Sequence, residues 1–193
     1  MKKNTLITIV AAMALFFSFE SAEKGIWLVD KDHAKLGFTV NHLMVSDVDG
    51  WFKTFDAKVT SSGEDFSDAV AEMTADVSSV NTESEKRDKH LMSEDFFDAA
   101  KYPLITFKST SFKKVKDNTY KVIGDLTMHG VTKTMELDAV SKLGINPMNK
   151  KAITGFKITG KINRSDFGIA PSTSSAMVGD DVTLVANAEF VRN

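Results

Sequence analysis

The feature that most constrains this chain is a period of two. Apolar residues recur at alternate positions, which puts them on one face of an extended strand. Leu36, Phe38, Val40 and His42 share one such face, Phe55, Ala57 and Val59 a second, and Ala71, Met73, Ala75 and Val77 a third. Further on, Tyr120, Val122, Gly124, Leu126 and Met128 alternate with Lys121, Ile123, Asp125, Thr127 and His129. Met135, Leu137 and Ala139 keep the phase, as do Phe156, Ile158, Gly160 and Ile162, then Val182, Leu184, Ala186, Ala188 and Phe190. About eight strands with one apolar face each need a shared interior, and a closed antiparallel barrel supplies it while removing the sheet edges. Two packed sheets are the alternative architecture. The expected fold class is all-β.

One polar stretch, Asn81 to Pro103, breaks the alternation. Thr82 and Glu85 have capping-box spacing, and Glu83–Arg87 and Glu85–Lys89 stand four apart with the acid first. This predicts a short solvated helical segment around residues 82–98, with Ser93 capping a second turn. Phe96 and Phe97 are adjacent and large, and they are expected to plug one end of a barrel.

The amino terminus has a different character. Lys2 and Lys3 precede an apolar run from Leu6 to Phe19, followed by Glu20, Ser21 and Ala22. This basic, apolar, then short polar order matches a secretory signal peptide over residues 1–22, leaving 23–193 as a single domain. As a helix the apolar run would rise only about 21 Å, short of a ~30 Å hydrocarbon core. If cleavage follows Ala22, Glu20 occupies a position where a small residue is preferred. The expected location is periplasmic or secreted, and a chain with 0 Cys suits export.

Charge and composition exclude several activities. A net charge of −2 provides no basic field for a polyphosphate backbone, so nucleic acid is not an expected partner. Without cysteine, thiol nucleophiles and thiolate zinc sites are ruled out. Gly155 to Lys161 nearly spells a phosphate-binding loop, but Ile162 follows where a hydroxyl is required, and the segment alternates like a strand. Asn163-Arg164-Ser165 is a glycosylation sequon by pattern alone. The four histidines, His33, His42, His90 and His129, show no spacing that converges on a metal. No catalytic residue, metal or cofactor is expected. Two polar residues do sit in apolar phase, His42 and Arg164, each at the end of its row where a barrel mouth would lie. A buried guanidinium is costly unless it meets an acid such as Asp166, a carbonyl or a ligand head group.

Several short patterns then line up in order. They are Trp27-x-x-Asp30-x-x-His33, Phe38-x-Val40-x-His42, Gly50-x-Phe52, Arg87-Asp88-x-His90-Leu91 and Asp95-Phe96-Phe97-Asp98. After these come Tyr102-Pro103-x-x-x-Phe107, Gly124 to Lys133, Asn163 to Gly168, and Val178-Gly179-Asp180-x-Val182. In this order the chain resembles the YceI-like family of exported, polyisoprenoid-binding, lipocalin-like proteins across roughly residues 25–190. Ala34 departs from the Ser usual after the histidine.

The resemblance implies an elongated eight-stranded antiparallel lipocalin-like barrel with a helical segment near one end. Its apolar tunnel would hold a long isoprenoid or fatty chain. Phe38, Val40, Phe55, Met73, Phe107, Leu126, Met128, Phe156, Ile158 and Leu184 are then the expected tail contacts, with His42 and Arg164 at the head group. The implied role is non-catalytic transport or storage of a quinone, polyprenyl phosphate or fatty chain, with transient membrane contact at delivery and a monomer or homodimer both allowed. A ligand-free structural module and a His-dependent enzyme on the same barrel are the alternatives.

Overall fold

A computed structural model describes residues 24–193. The expected signal peptide, residues 1–22, lies outside them. Ten strand segments form one sheet: β1 (Gly25–His42), β2 (Ser46–Phe52), β3 (Phe55–Ser61), β4 (Val70–Asp76), β5 (Val80–Asn81), β6 (Leu104–Lys116), β7 (Thr119–Met128), β8 (Val131–Ile145), β9 (Ala152–Asn163) and β10 (Val178–Arg192). The single α-helix among the described residues, α1, spans Glu85–Leu91.

Two of the barrel's staves are composite. β2 and β3 run on from each other across Lys53 and Thr54, and both pair antiparallel with β1. β4 and β5 are likewise joined by a 3-10 turn over Val77–Ser79. Counted as staves, the closed antiparallel barrel has eight. The long terminal strands close it, with β1 against β10 from Trp27↔Arg192 to His42↔Val178. Closure converts the two exposed edges of an open sheet into a hydrogen-bonded seam.

The alternation read from the sequence is the burial pattern of the strands. In β7, Tyr120, Val122, Gly124, Leu126 and Met128 are all buried while Ile123 is exposed. Crowding inside the barrel is relieved by a missing side chain in the pair Phe38↔Gly50. A Cβ on Gly50 would stand 2.3 Å from the Phe38 ring, so only glycine lets that ring lie across its neighbour.

One end of the barrel has a floor of aromatic rings. Trp27, Phe66, Tyr120 and Phe156 are almost wholly buried. Phe66 meets Trp27 at 5.3 Å and Phe156 at 5.1 Å, both edge-on, as ring quadrupoles prefer. Phe66 is delivered by the 62–69 loop, where it takes a left-handed backbone (φ 53°). Asp68 ties that loop down by accepting from the Ser61 and Ser62 hydroxyls, each at 2.6 Å. Tyr120 donates its hydroxyl to the Asp65 carbonyl at 2.8 Å. Each ring so buried contributes roughly 2–3 kcal/mol.

At the opposite end, Phe97 packs on Phe38 and Phe52, with ring centroids 6.5 and 5.9 Å away. Phe97 is therefore the plug. Phe96 stays half-buried and stacks edge-on against His90 instead.

The helix is shorter than its predicted segment, and its start differs. Ser84, not Thr82, is the N-cap residue, and it makes no side-chain cap bond. Thr82 instead donates its backbone N–H and hydroxyl to buried Asp88, at 2.8 and 2.6 Å. Arg87 binds Thr82 from the other side through Nε and Nη2, both at 2.7 Å, which removes it from the expected pair with Glu83. The tertiary hydrogen bonds outcompete the local box because they satisfy a buried carboxylate. Lys89 and Glu85 do pair, at 2.9 Å.

Candidate functional site

Between the aromatic floor and the Phe97 plug, the interior keeps a cavity of about 150 Å³. Inward residues of β3, β4, β6, β7, β8, β9 and β10 line it, together with Leu36 and Gly37 of β1. Lys58 and Glu72 are the only charged residues among the lining, and their partly exposed side chains are ion-paired, Glu72 meeting Lys58 at 2.8 Å and Lys108 at 3.1 Å. Burial, not hydrogen bonding, is what such a wall offers a guest. Met73, Met128 and Met135 contribute unbranched thioether chains, which adapt to irregular shapes.

Eight of the residues expected at a lipid tail stand on this wall: Phe55, Met73, Phe107, Leu126, Met128, Phe156, Ile158 and Leu184. Phe38 and Val40 do not. Phe38 is committed to the plug with Phe52 and Phe97, and Val40 is half-buried beyond the cavity.

The two expected head-group residues are elsewhere too. His42 is exposed and outside the lining: it is the last residue of β1, and the chain turns away directly after it through left-handed Leu43 and Met44. Arg164 is buried, but all its donors are spent on backbone carbonyls. Nε donates to Gly179 at 3.1 Å, Nη1 to Ile169 at 2.9 Å and Ala170 at 2.6 Å, and Nη2 to Thr173 at 2.8 Å and Val178 at 3.0 Å. A guanidinium has five N–H groups, so none is left for a head group or for Asp166. Arg164 holds the 164–179 connection against the barrel.

The cavity wall is thin at one place. β1 pairs with β3 only over Gly25–Leu28 and with β2 only from Leu36 onward, so Val29 to Lys35 meet neither. On the other flank the β1–β10 ladder jumps from Asp30 to Ala34, looping out three residues. An outer cleft of about 490 Å³ occupies this gap, lined by Lys31, Ala34, Lys35, Leu36 and residues 51–55. Leu36 and Phe55 line both the cleft and the inner cavity.

The remaining histidines also stand off the cavity wall. His33 Nδ1 lies 2.9 Å from Asp30 on the outer face. That hydrogen bond holds the imidazole above its ordinary value and the Asp30 carboxyl below its own. Glu189, directly across from Asp30, brings a third potential ligand atom within 4.8 Å of theirs. His90 lies 3.7 Å from Asp95 at the exposed end of α1. His129 donates through Nδ1 to the Phe167 carbonyl at 3.0 Å and stacks on Tyr102. The residues that sequence reasoning passed over were Leu36 and the outer lysines. Leu36 stands in an inward row of the sequence with no mark that separates it from its neighbours, and nothing local distinguishes Lys35 or Lys53 from solvated charges.

Comparisons with known proteins agree with this geometry. The YceI-like domain matches residues 27–190. UPF0312 protein SA2479 of Staphylococcus aureus is 43% identical over 169 residues, covering 83% of this chain and 94% of that protein. The crystal structure of a Campylobacter jejuni YCEI protein, 36% identical, superposes with a TM-score of 0.73 over 79% of this chain and 90% of its own. A polyisoprenoid binding domain from Saccharophagus degradans shares the fold, with a TM-score of 0.62 at 14% identity over 87% of this chain and 98% of its own. With a match that takes in nearly every strand of the barrel, this chain belongs to the YceI-like domain family.

Proposed function

We propose that this protein is a non-catalytic binder of a long-chain isoprenoid or related amphipathic lipid, held by its tail in the barrel cavity for transport or storage. The observation that carries the reading is the cavity wall itself, apolar but for Lys58 and Glu72, whose charges are compensated by ion pairing. Each methylene moved from water onto such a wall is worth about 0.8 kcal/mol, so a few prenyl units supply useful affinity without any polar contact. An eight-stranded barrel has an interior suited to one small ligand. A cavity near 150 Å³ matches engineered apolar voids that take a benzene-sized guest, and the methionine side chains can yield further room. The shared fold with a polyisoprenoid binding domain supports the same cargo class.

None of the four histidines lines the cavity, which favours a binder over a His-dependent enzyme. Export to the periplasm, supported by the leader-like first 22 residues, is part of the proposal, as is delivery by transient membrane contact. Native mass spectrometry of protein taken from its own host, followed by lipid extraction, tests it. The expected result is a bound species of defined mass that is released on denaturation and identified as an isoprenoid or fatty chain. A bare protein mass, persisting after incubation with isoprenoid quinones and polyprenyl phosphates, would overturn it.

A further inference from the structure

We propose that the cavity is reached from the side, through the gap between β1 and the β2–β3 junction, and that Lys35 and Lys53 at this gap seat an anionic head group. The inference rests on the lipid-binding reading above and names the door and the head-group charge that reading leaves open.

Three observations converge on the door. Both ends of the barrel are packed with aromatic rings, the floor by Phe66, Trp27 and Phe156 and the other end by Phe97. The side wall is the place where strand pairing lapses, since Val29 to Lys35 have no ladder partner in β2 or β3. Only side chains bar the way there, and side-chain rotation is far faster than strand separation. Leu36 and Phe55 face the cavity on one side and the outer cleft on the other, which is the position of a gate.

The charge follows from the outer rim. Three lysines, Lys31, Lys35 and Lys53, line the cleft. Lys31 is neutralised by Asp56 at 2.9 Å. Lys35 and Lys53 have no acidic partner among the described residues, and Lys35 instead holds its ammonium 5.6 Å from the centre of the Trp51 ring. Two uncompensated cations thus stand outside the gate. An amphipathic lipid whose tail passed Leu36 and Phe55 would leave its head between them, where a phosphate or carboxylate gains what a neutral alcohol does not.

The test compares farnesyl phosphate, palmitate and farnesol as probes on the full chain and on a Lys35→Glu, Lys53→Glu double variant. Both positions are exposed, so the variant keeps the barrel. The wild-type protein should bind farnesyl phosphate at least tenfold more tightly than farnesol. The double variant should lose that preference while its farnesol affinity stays unchanged. Palmitate bound as tightly as farnesyl phosphate would assign the site to carboxylates as well, and weaker palmitate to phosphates. Equal wild-type affinity for the charged and neutral farnesyl probes, or a preference that survives charge reversal, would overturn the head-group site while leaving lipid binding intact. Failure of all three probes would sink lipid binding itself.

The door is tested separately by kinetics. Leu36→Trp should slow farnesol association at least tenfold, and Phe55→Ala should speed both association and dissociation. Association rates unchanged in both variants would place the route elsewhere.

Discussion

Arg164 donates to the Ala170 carbonyl at 2.6 Å, and Ala170 is itself held in a left-handed backbone (φ 47°). The guanidinium stabilises a connection whose own residues would not choose that path, and four other carbonyls share the load. Arg164→Ala leaves the buried Ile169 and Ala170 carbonyls and three half-buried ones without their donor and should cost on the order of 4 kcal/mol. Arg164→Lys should recover only a small part, because an ammonium cannot reproduce a planar five-donor fork. Urea denaturation checks both, and a loss under 1 kcal/mol for the alanine variant would contradict the assignment.

Thr154 is fully buried in β9 beside the floor, and its hydroxyl has no hydrogen-bond partner among the described residues. Thr154→Val keeps the shape, suits a strand and removes a desolvated polar atom. It should stabilise the protein by about 1 kcal/mol. A shift of the denaturation midpoint to lower urea would show that the hydroxyl is doing something the geometry does not record.

Ala57 lines the cavity and is only half-buried. Ala57→Phe should fill the space a tail would use and lower farnesol affinity at least tenfold, with stability changed by no more than about 2 kcal/mol. Retained affinity in a folded variant would remove β3 from the binding wall.

Gly124 carries a related expectation. A Cβ there would lie 2.4 Å from the Phe107 ring and 2.6 Å from the Lys108 carbonyl oxygen. The backbone oxygen cannot step aside, so Gly124→Ala should destabilise by roughly 1–3 kcal/mol and push Phe107 into the cavity. Reduced thermal stability together with reduced lipid capacity is the expected pair of readouts.

Asp68 sets a pH dependence. Hydrogen bonds from the Ser61 and Ser62 hydroxyls lower its carboxyl from 3.8 to about 2. A carboxyl depressed on folding stabilises the protein above its unfolded value, and that stabilisation is lost as pH falls from about 4 towards 2. Asp68→Asn should therefore be less stable than wild type at pH 7, with the gap narrowing over that acid interval. Parallel melting-temperature curves for the two proteins across that interval would rule the linkage out. Because Asp68 is exposed, solvent screening keeps the effect small.

The strands are legible because inward and outward residues of a barrel alternate over long runs, as throughout β7. The lining of β6 to β10 could be read for the same reason. Two kinds of feature were hidden. The first is irregularity: the β1–β10 ladder loops out three residues between Asp30 and Ala34 and slips again beyond Val40, and alternation alone contains no mark of either. The second is long-range pairing. Whether Arg164 meets an acid, a lipid or five carbonyls depends on where residues 169–179 return, and no local spacing encodes that path. The side gap belongs to both kinds, since it needs a looped-out β1 and a broken partner strand at the same level. Thr82 shows the converse, a local capping signal overruled by a buried carboxylate six residues away.

Phe66 has no exposed surface, so the base of the barrel is sealed. A vessel with a sealed base cannot be threaded. Whatever slides in must back out along its own track, and one occupant has to vacate before another is seated. A molecule longer than the bore keeps its surplus outside, always at the same terminus. Such a vessel sorts its contents by which end goes in first and is indifferent to how much remains beyond the rim.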